Sequence, residues 1–227
     1  SIPAADGWLS SPGHGSAGGR GMRDSVFTQL ADDILQDNFQ RHPSAATDLG
    51  IHKYDDRMDD VSRAARVAES QAMKGFRASL AAIEPEALSP DKRLDREQLL
   101  GAMDAGILGI DVIRQWTKDP DGYSGGVTNA AYVIMKRNYA PAVDRLKSLI
   151  AREKLMPASL AEARKNLDNP PEIYTKIAIE QIDGNISFFK NDVPAAFKDV
   201  TDKALRAEFA KTNAAVMTAL GEYKTFL

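Results

Sequence analysis

The 227-residue sequence contains no cysteine. This absence excludes disulfide bonds, thiolate metal ligands and cysteine nucleophiles together. Histidine is scarce as well: there are three, of which only His42 and His52 lie beyond the N-terminal segment, and no HExxH pair occurs. Zinc takes three or four nitrogen, sulfur or carboxylate ligands, so the chain offers few donors for a zinc site.

Long apolar runs and basic clusters are also missing. No stretch approaches the ~20 apolar residues that cross a bilayer, so no membrane span is predicted. The net charge is −3 without any basic run, and nucleic acid is therefore not predicted as a partner. The phosphate-binding pattern GxxxxGK[ST] is absent, and no organic cofactor is predicted.

The N-terminal segment differs in composition from the rest of the chain. Residues 1–21 hold six of the sixteen glycines, together with four serines and two prolines. Such a segment has too little apolar surface to offset the entropy of ordering it, and it lacks the basic start and apolar core of a secretory signal. We predict a flexible leader over residues 1–23, of linker or cloning origin, and a single helical domain over residues 24–227 that stops inside a helix.

Helical periodicity dominates from Asp24 onward. Phe27, Leu30 and Ile34 recur at three- and four-residue spacing, as on one face of an amphipathic helix. Ser89-Pro90-Asp91 has the composition of a helix start, and the helix that follows is predicted to run to Trp116. Pro157 is predicted to begin a new helix. These patterns, without any strand pattern of useful length, predict an all-α multi-helix bundle of about seven to nine helices with no significant sheet.

Two carboxylates fall on apolar helical faces. Asp95 shares a stripe with Leu99, and Glu180 lies between apolar residues of a helix over 171–190 that we expect to be buried all round. An unpaired buried charge is very costly, so Asp95 and Glu180 are predicted to be buried and paired. The candidate partners are Arg96, Arg114, Arg137 and Arg152. A structural ion pair explains such carboxylates as well as a functional role does.

The stretch LGIHKYDDRMDD, residues 49–60, admits two interpretations. It can be a polar connection in which Asp59 or Asp60 caps the next helix. It can instead be a site in which Asp55, Asp56 and Asp60 hold a divalent cation, with calcium favoured over zinc because the donors are oxygens. His52 would then act as general base and Arg57 would stabilise the oxyanion, so that His52, Asp56 and Arg57 form the catalytic set. The spacing does not match the twelve-residue calcium loop.

Aromatic and basic residues elsewhere are candidates for a substrate cleft. Trp116 with Asp119-Pro120 and Tyr123 can line such a cleft, and Tyr54 and Arg114 are added as substrate-binding residues. A tryptophan that closes a long helix is also a common core residue, which is the competing explanation for Trp116.

The motifs HPSAAT, GIHKYDDR and IAREKLMPA, in this order, resemble a bacterial family of uncharacterised hydrolases catalogued as domain of unknown function 885. The resemblance implies a largely helical, zincin-like hydrolase with peptidase-like character, exported or periplasmic, whose HExxH helix lies in the C-terminal half of a longer chain. Without HExxH, this chain would correspond to the N-terminal helical half and would supply cleft walls, with GIHKYDDR near the cleft.

Three functions are therefore compatible with the sequence. The first is the helical part of a metallopeptidase-like hydrolase, acting on a small-molecule or peptide substrate. The second is a shortened hydrolase of small esters, lactones or amides that uses a carboxylate-bound divalent cation. The third is a non-catalytic interaction module, which could form a homo-oligomer through the edge where the chain stops.

Overall fold

A computed structural model describes residues 17–227, and within them the chain is helical without any strand, so the all-α prediction is confirmed. The helices are α1 (Ala17–Arg41), α2 (Pro43–Asp48), α3 (Arg63–Ala81), α4 (Pro90–Ile107), α5 (Pro120–Met135), α6 (Ala142–Asn166), α7 (Glu172–Ser187), α8 (Val193–Ala196) and α9 (Lys203–Phe226). Most of the predicted leader, residues 1–16, lies outside the described residues, whereas residues 17–23 belong to α1. Among the helices described, none has the length and apolar character needed to cross a membrane.

Helix starts follow local sequence chemistry. Pro90 and Pro120 occupy the first turn of α4 and α5, where a missing N–H costs nothing. The Asp119 side chain caps α5 by accepting a hydrogen bond from the Gly122 amide. The predicted cap of α4 differs: the Ser89 side chain makes no cap bond, and the Ser89 amide instead donates to Asp24 at 2.9 Å, which ties α4 to α1.

The end of α4 departs from the prediction. The α-helix stops at Ile107, a wider π-helical segment follows over Leu108–Ile113, and Arg114 adopts a left-handed conformation with φ 53°. A non-glycine residue in this region is uncommon, and here it reverses the chain. Trp116 consequently turns back, and its indole N–H donates to the Ile110 carbonyl at 3.1 Å. Because of this turn, Trp116 lies next to the start of α5.

Two apolar cores hold the helices together. The larger core joins α5, α6, α7 and α9 through side chains such as Leu149, Ile182 and Leu220. The smaller core joins α1, α3 and α4 around Phe27 and Leu80. Because α2 contacts both α1 and α5, α2 and the connection after it lie where the two cores meet.

The prediction that Asp95 is buried is wrong. Its side chain is 51% exposed and pairs with Lys92 at 3.3 Å. The buried positions of α4 are Arg96 and Met103, and the Arg96 guanidinium bonds the carbonyls of α3. A helical wheel shows which residues share a face, but it does not fix how far that face extends into the core, and Asp95 lies beyond its buried part.

The prediction that Glu180 is buried is also wrong. Helix α7 packs through Ala178 and Ile182, while Ile173 and Ile177 on the other side are 58% and 43% exposed. Glu180 is exposed with them. The carboxylates that the fold does bury are Asp55, Glu69 and Glu153.

Candidate functional site

The connection between α2 and α3 begins with a reversal of the chain. Gly50 adopts φ 87°, a conformation that residues with a Cβ rarely take. The Ile51 amide donates to the Ala46 carbonyl at 2.8 Å, which closes the turn against α2. A short 3₁₀ turn over His52–Tyr54 follows and presents the polar residues that the sequence singled out.

His52 and Asp55 form an oriented pair. The buried Asp55 carboxylate bonds His52 Nδ1 at 3.0 Å and accepts from the Thr47 hydroxyl at 2.6 Å. The imidazole stacks on the Tyr139 ring, with centroids 3.7 Å apart and planes 10° from parallel. Among the described residues, nothing bonds His52 Nε2. A carboxylate on Nδ1 leaves Nε2 as the acceptor of the neutral ring, which is the state a general base requires.

Arg152 of α6 fixes this connection from inside the protein. Its side chain is fully buried, and it donates to the Ala130 carbonyl at 2.8 Å, the Thr47 hydroxyl at 2.7 Å and the Pro43 carbonyl at 3.3 Å. Burial lowers the pKa of the guanidinium, and the charge of Asp55 opposes that shift. One cation therefore joins α2, α5 and α6 beneath the His52–Asp55 pair.

His42 lies at the centre of a second charged cluster. Nδ1 bonds Asp59 at 2.8 Å, Nε2 bonds Glu69 at 2.8 Å, and Arg66 donates to the other Glu69 oxygen at 3.1 Å. The bonds to Asp59 and Glu69 raise the pKa of His42 to about 9. Burial acts to raise the pKa of Glu69, but His42 and Arg66 hold it below its usual range. His42 is thus an imidazolium at neutral pH with both nitrogens engaged, and it cannot serve as a base.

A groove opens beside this cluster. Its main cavity, of about 360 Å³, lies between α2, the connection and α5, and it is lined by residues that include His42, Ser44, Asp48, Asp59 and Asn129. A second cavity, of about 210 Å³, extends to Trp116 and Asp119. The two share the lining residues Val61, Arg66, Gly122 and Tyr123. We call this continuous surface the Arg66 groove. Its volume lies in the range of small-molecule sites.

The groove brings together only part of the predicted cleft. Trp116 and Tyr123 line it, and the Tyr123 hydroxyl donates to the Trp116 carbonyl. Arg114 lies next to Trp116, with its guanidinium 5.5 Å from the indole ring, but it is exposed and lines neither cavity. Tyr54 is 2% exposed and belongs to the interior, so it is not placed to contact a ligand in the groove.

The predicted metal ligands have separate partners. Asp55 is engaged by Thr47 and His52, Asp56 is exposed, and Asp60 accepts from the Ser62 amide at 2.9 Å as the connection enters α3. Within residues 17–227 no group of three or more His, Asp or Glu side chains is arranged to hold a metal ion. Asp55 and Asp60 are each engaged by separate hydrogen-bond donors and Asp56 faces solvent, so in this structure Asp55, Asp56 and Asp60 do not converge on one point as a calcium site requires.

Arg57, predicted to act on an oxyanion, is exposed. Its side chain is 60% accessible and lies over the Tyr54 ring, 5.5 Å from the centroid. Neither Asp56 nor Arg57 bonds His52, so the predicted catalytic set of three is not assembled around the imidazole.

Sequence reasoning missed the Arg66–Glu69 pair. The two residues are three positions apart in α3, a spacing that places side chains side by side and could have indicated the pair. His42 was considered only as one of the few nitrogen donors for zinc, and its two carboxylate partners were missed. The stacking of Tyr139 on His52 joins residues far apart in sequence, and no local pattern reports such a contact.

Comparisons with known proteins place this geometry in context. Residues 43–227 match the family described as "Bacterial protein of unknown function (DUF885)". A solved structure of a "putative lipoprotein of unknown function" from Shewanella oneidensis is similar, with 27% identity and a TM-score of 0.80. The match covers 88% of this chain but only 36% of the Shewanella protein. No curated protein matches the chain.

Proposed function

The chain belongs to the bacterial DUF885 family, and from that premise we propose that it forms the helical substrate-binding part of a metallopeptidase-like hydrolase. The Arg66 groove is then one wall of the substrate cleft. The observation that carries the proposal is the groove itself, in which apolar and aromatic walls flank a few fixed polar groups, as in most small-molecule sites.

The rigidity of the surroundings supports a binding role. Arg152 holds α2 against α5 and α6, and the His42 cluster holds the connection against α3. A preformed site loses little conformational entropy when a ligand binds. The groove therefore does not need to be ordered by its substrate.

The proposal assigns no metal chemistry to this chain. Zinc needs three or four converging ligands, and the described residues offer no such group. The solved relative is longer, and this chain spans 36% of it. In the proposal, the hydrolytic centre of the whole protein comes from residues beyond those of this chain. The description of the relative as a lipoprotein supports an exported location.

Two neighbouring glycines of α5 provide a matched test. Gly126 lines the groove and Gly125 does not, and a Cβ at either position meets nothing within 4 Å. Gly126→Leu should fill the groove and Gly125→Leu should not, while both gain helix propensity. We expect Gly126→Leu to abolish the binding of short peptide and ester substrates, measured by calorimetry, with Gly125→Leu unchanged. Equal binding by both variants, or no binding by the parent protein, would contradict the proposal.

The His52–Asp55 pair favours a second candidate, the hydrolysis of small esters, lactones or amides with His52 as general base. Asp55 orients the ring and Nε2 has no protein partner among the described residues. Removal of a general base costs typically 10²- to 10⁴-fold in rate. His52→Gln should therefore abolish hydrolysis of a chromogenic ester or lactone while the melting temperature stays close to that of the parent. Unchanged turnover in His52→Gln would reject this candidate.

A further inference from the structure

Arg66 occupies the junction of the groove. It lines both cavities, and its side chain is 22% exposed. One guanidinium nitrogen donates to Glu69, whereas Nε is buried and no residue that the structure describes accepts a hydrogen bond from it. A guanidinium has five N–H donors and recognises carboxylates by paired bonds. Arg66 therefore retains donor capacity at the centre of a cavity.

The charged residues next to Arg66 do not engage all of its N–H donors. His42 is held by Asp59 on one nitrogen and by Glu69 on the other, so neither carboxylate is free to turn fully toward Arg66. One oxygen of Asp59, Oδ1, is itself buried without a partner in the described part of the chain, and Asp59 lines the main cavity. Arg66 and Asp59, which both line the groove, thus each keep a polar atom that no described residue engages.

The two arms of the groove differ in chemistry. From Arg66, the smaller cavity runs along Val61, Tyr123 and Trp116, which are apolar or aromatic. Gln115 and Asp119 also line it, and Asp119 already accepts from the Gly122 amide. The main cavity runs toward Asp59 and Asp48, which are acidic. A ligand that satisfies both arms carries an anion at Arg66, an apolar group toward Trp116 and a cation toward Asp59.

We propose that the Arg66 groove binds the free C-terminal end of a short peptide. The terminal carboxylate pairs with Arg66, the last side chain lies along Tyr123 and Trp116, and the amino group of a di- or tripeptide lies near Asp59. This inference rests on the proposed function, since it names the class of substrate that the cleft receives. A phosphate group fits less well, because it presents three acceptor oxygens, whereas both nitrogens of the neighbouring His42 are already engaged and leave Arg66 to supply the donors.

Matched ligands and matched variants test the carboxylate contact. The probes are alanyl-phenylalanine and its C-terminal amide, which differ only in the terminal charge. By calorimetry, the parent protein should bind the acid about tenfold or more tightly than the amide, since hydrogen bonds to charged groups contribute about that much. Arg66→Gln should bind the two equally and weakly. Arg77 lies on α3 like Arg66, and at the surface it pairs with Asp104 of α4. The control variant Arg77→Gln breaks this exposed pair and should bind both probes as the parent does.

The outcomes separate this inference from the proposed function. Equal binding of acid and amide by the parent, or no binding of either, overturns the carboxylate contact without recourse to any variant. Binding of neutral esters that Gly126→Leu blocks and Arg66→Gln leaves intact would keep the substrate cleft and reject the peptide terminus. This chain could bind peptides through the carboxylate while its longer relatives fail to hydrolyse any peptide. That pair of results would keep the inference and reject peptide hydrolysis as the function.

Discussion

Glu153 is the carboxylate whose burial has the largest predicted consequence for stability. Its side chain is fully buried between α6 and α9, where, among residues 17–227, only the Thr212 hydroxyl donates to it and Oε1 has no partner. Its neighbour Arg152 turns to α2 and α5 and does not pair with it. Burial raises the pKa of Glu153 from 4.5 to about 8, so the folded protein holds the acid in its neutral form at pH 7.

The sign and size of the effect follow from proton linkage. Above pH 4.5 the unfolded chain releases this proton and the folded chain keeps it, so stability falls as pH rises until the folded-state pKa near 8 is reached. Each pH unit costs about 1.4 kcal/mol, which amounts to about 3 kcal/mol by pH 7. Glu153→Gln keeps the shape and an acceptor for Thr212 but cannot ionise, so it should remove this cost.

The assay is thermal or urea unfolding followed by circular dichroism at pH 5 and pH 7. At pH 7, Glu153→Gln should be about 3 kcal/mol more stable than the parent, or roughly 6–12 °C higher in melting temperature, with most of the gain gone at pH 5. Glu172→Gln, an 84% exposed residue paired with Lys176, is the control and should change stability little. If Glu153→Gln destabilises the protein equally at both pH values, Glu153 is ionised in the fold and the reasoning fails.

Three further predictions concern the clusters around the connection. The His42 imidazole should titrate near pH 9 by NMR. Because its pKa is raised on folding, the stability that it contributes is complete below about pH 6.5 and is lost as pH rises through 9. A destabilisation by His42→Gln that is as large at pH 10 as at pH 6 would contradict this. Arg152→Met should cost at least about 3 kcal/mol of unfolding free energy, since it removes the buried donors to Thr47 and Ala130 and leaves the buried Asp55 without a neighbouring cation, whereas Arg77→Met on the surface should cost little. Calcium or EDTA should leave the melting temperature of this chain unchanged, because its described residues form no metal-binding group; a rise that saturates with calcium would restore the cation site proposed for Asp55, Asp56 and Asp60.

Local chemistry explains which parts of the fold the sequence predicts. The helix start at Pro90 depends on neighbouring residues alone, and it is confirmed. Pro157 was expected to begin a helix, yet α6 continues through it. Met156 and Leu160 on either side are buried in the larger core, and this packing outweighs the local break. Tertiary contacts also determine whether Glu180 is buried, and because its apolar neighbours remain exposed, Glu180 is exposed too.

The candidate site was predictable to the extent that its parts are close in sequence. The stretch over residues 49–60 was identified from its polar composition, and Asp55 lies three residues from His52, near enough for the pair to form. The role of Asp55 was not predictable, because the Thr47 and Arg152 contacts that turn it inward depend on how α6 packs beneath α2. The groove itself exists only because α5 and the connection face each other.

The most direct measurement of the central claim is the map of backbone amide shifts in the ¹⁵N-labelled protein as alanyl-phenylalanine is added. The claim that the Arg66 groove is the ligand site predicts saturable shifts that are largest at Gly122 and Gly126 and at the Trp116 indole N–H, all of which border the groove. Shifts confined to helices away from the groove, or no shifts at millimolar peptide, would contradict it.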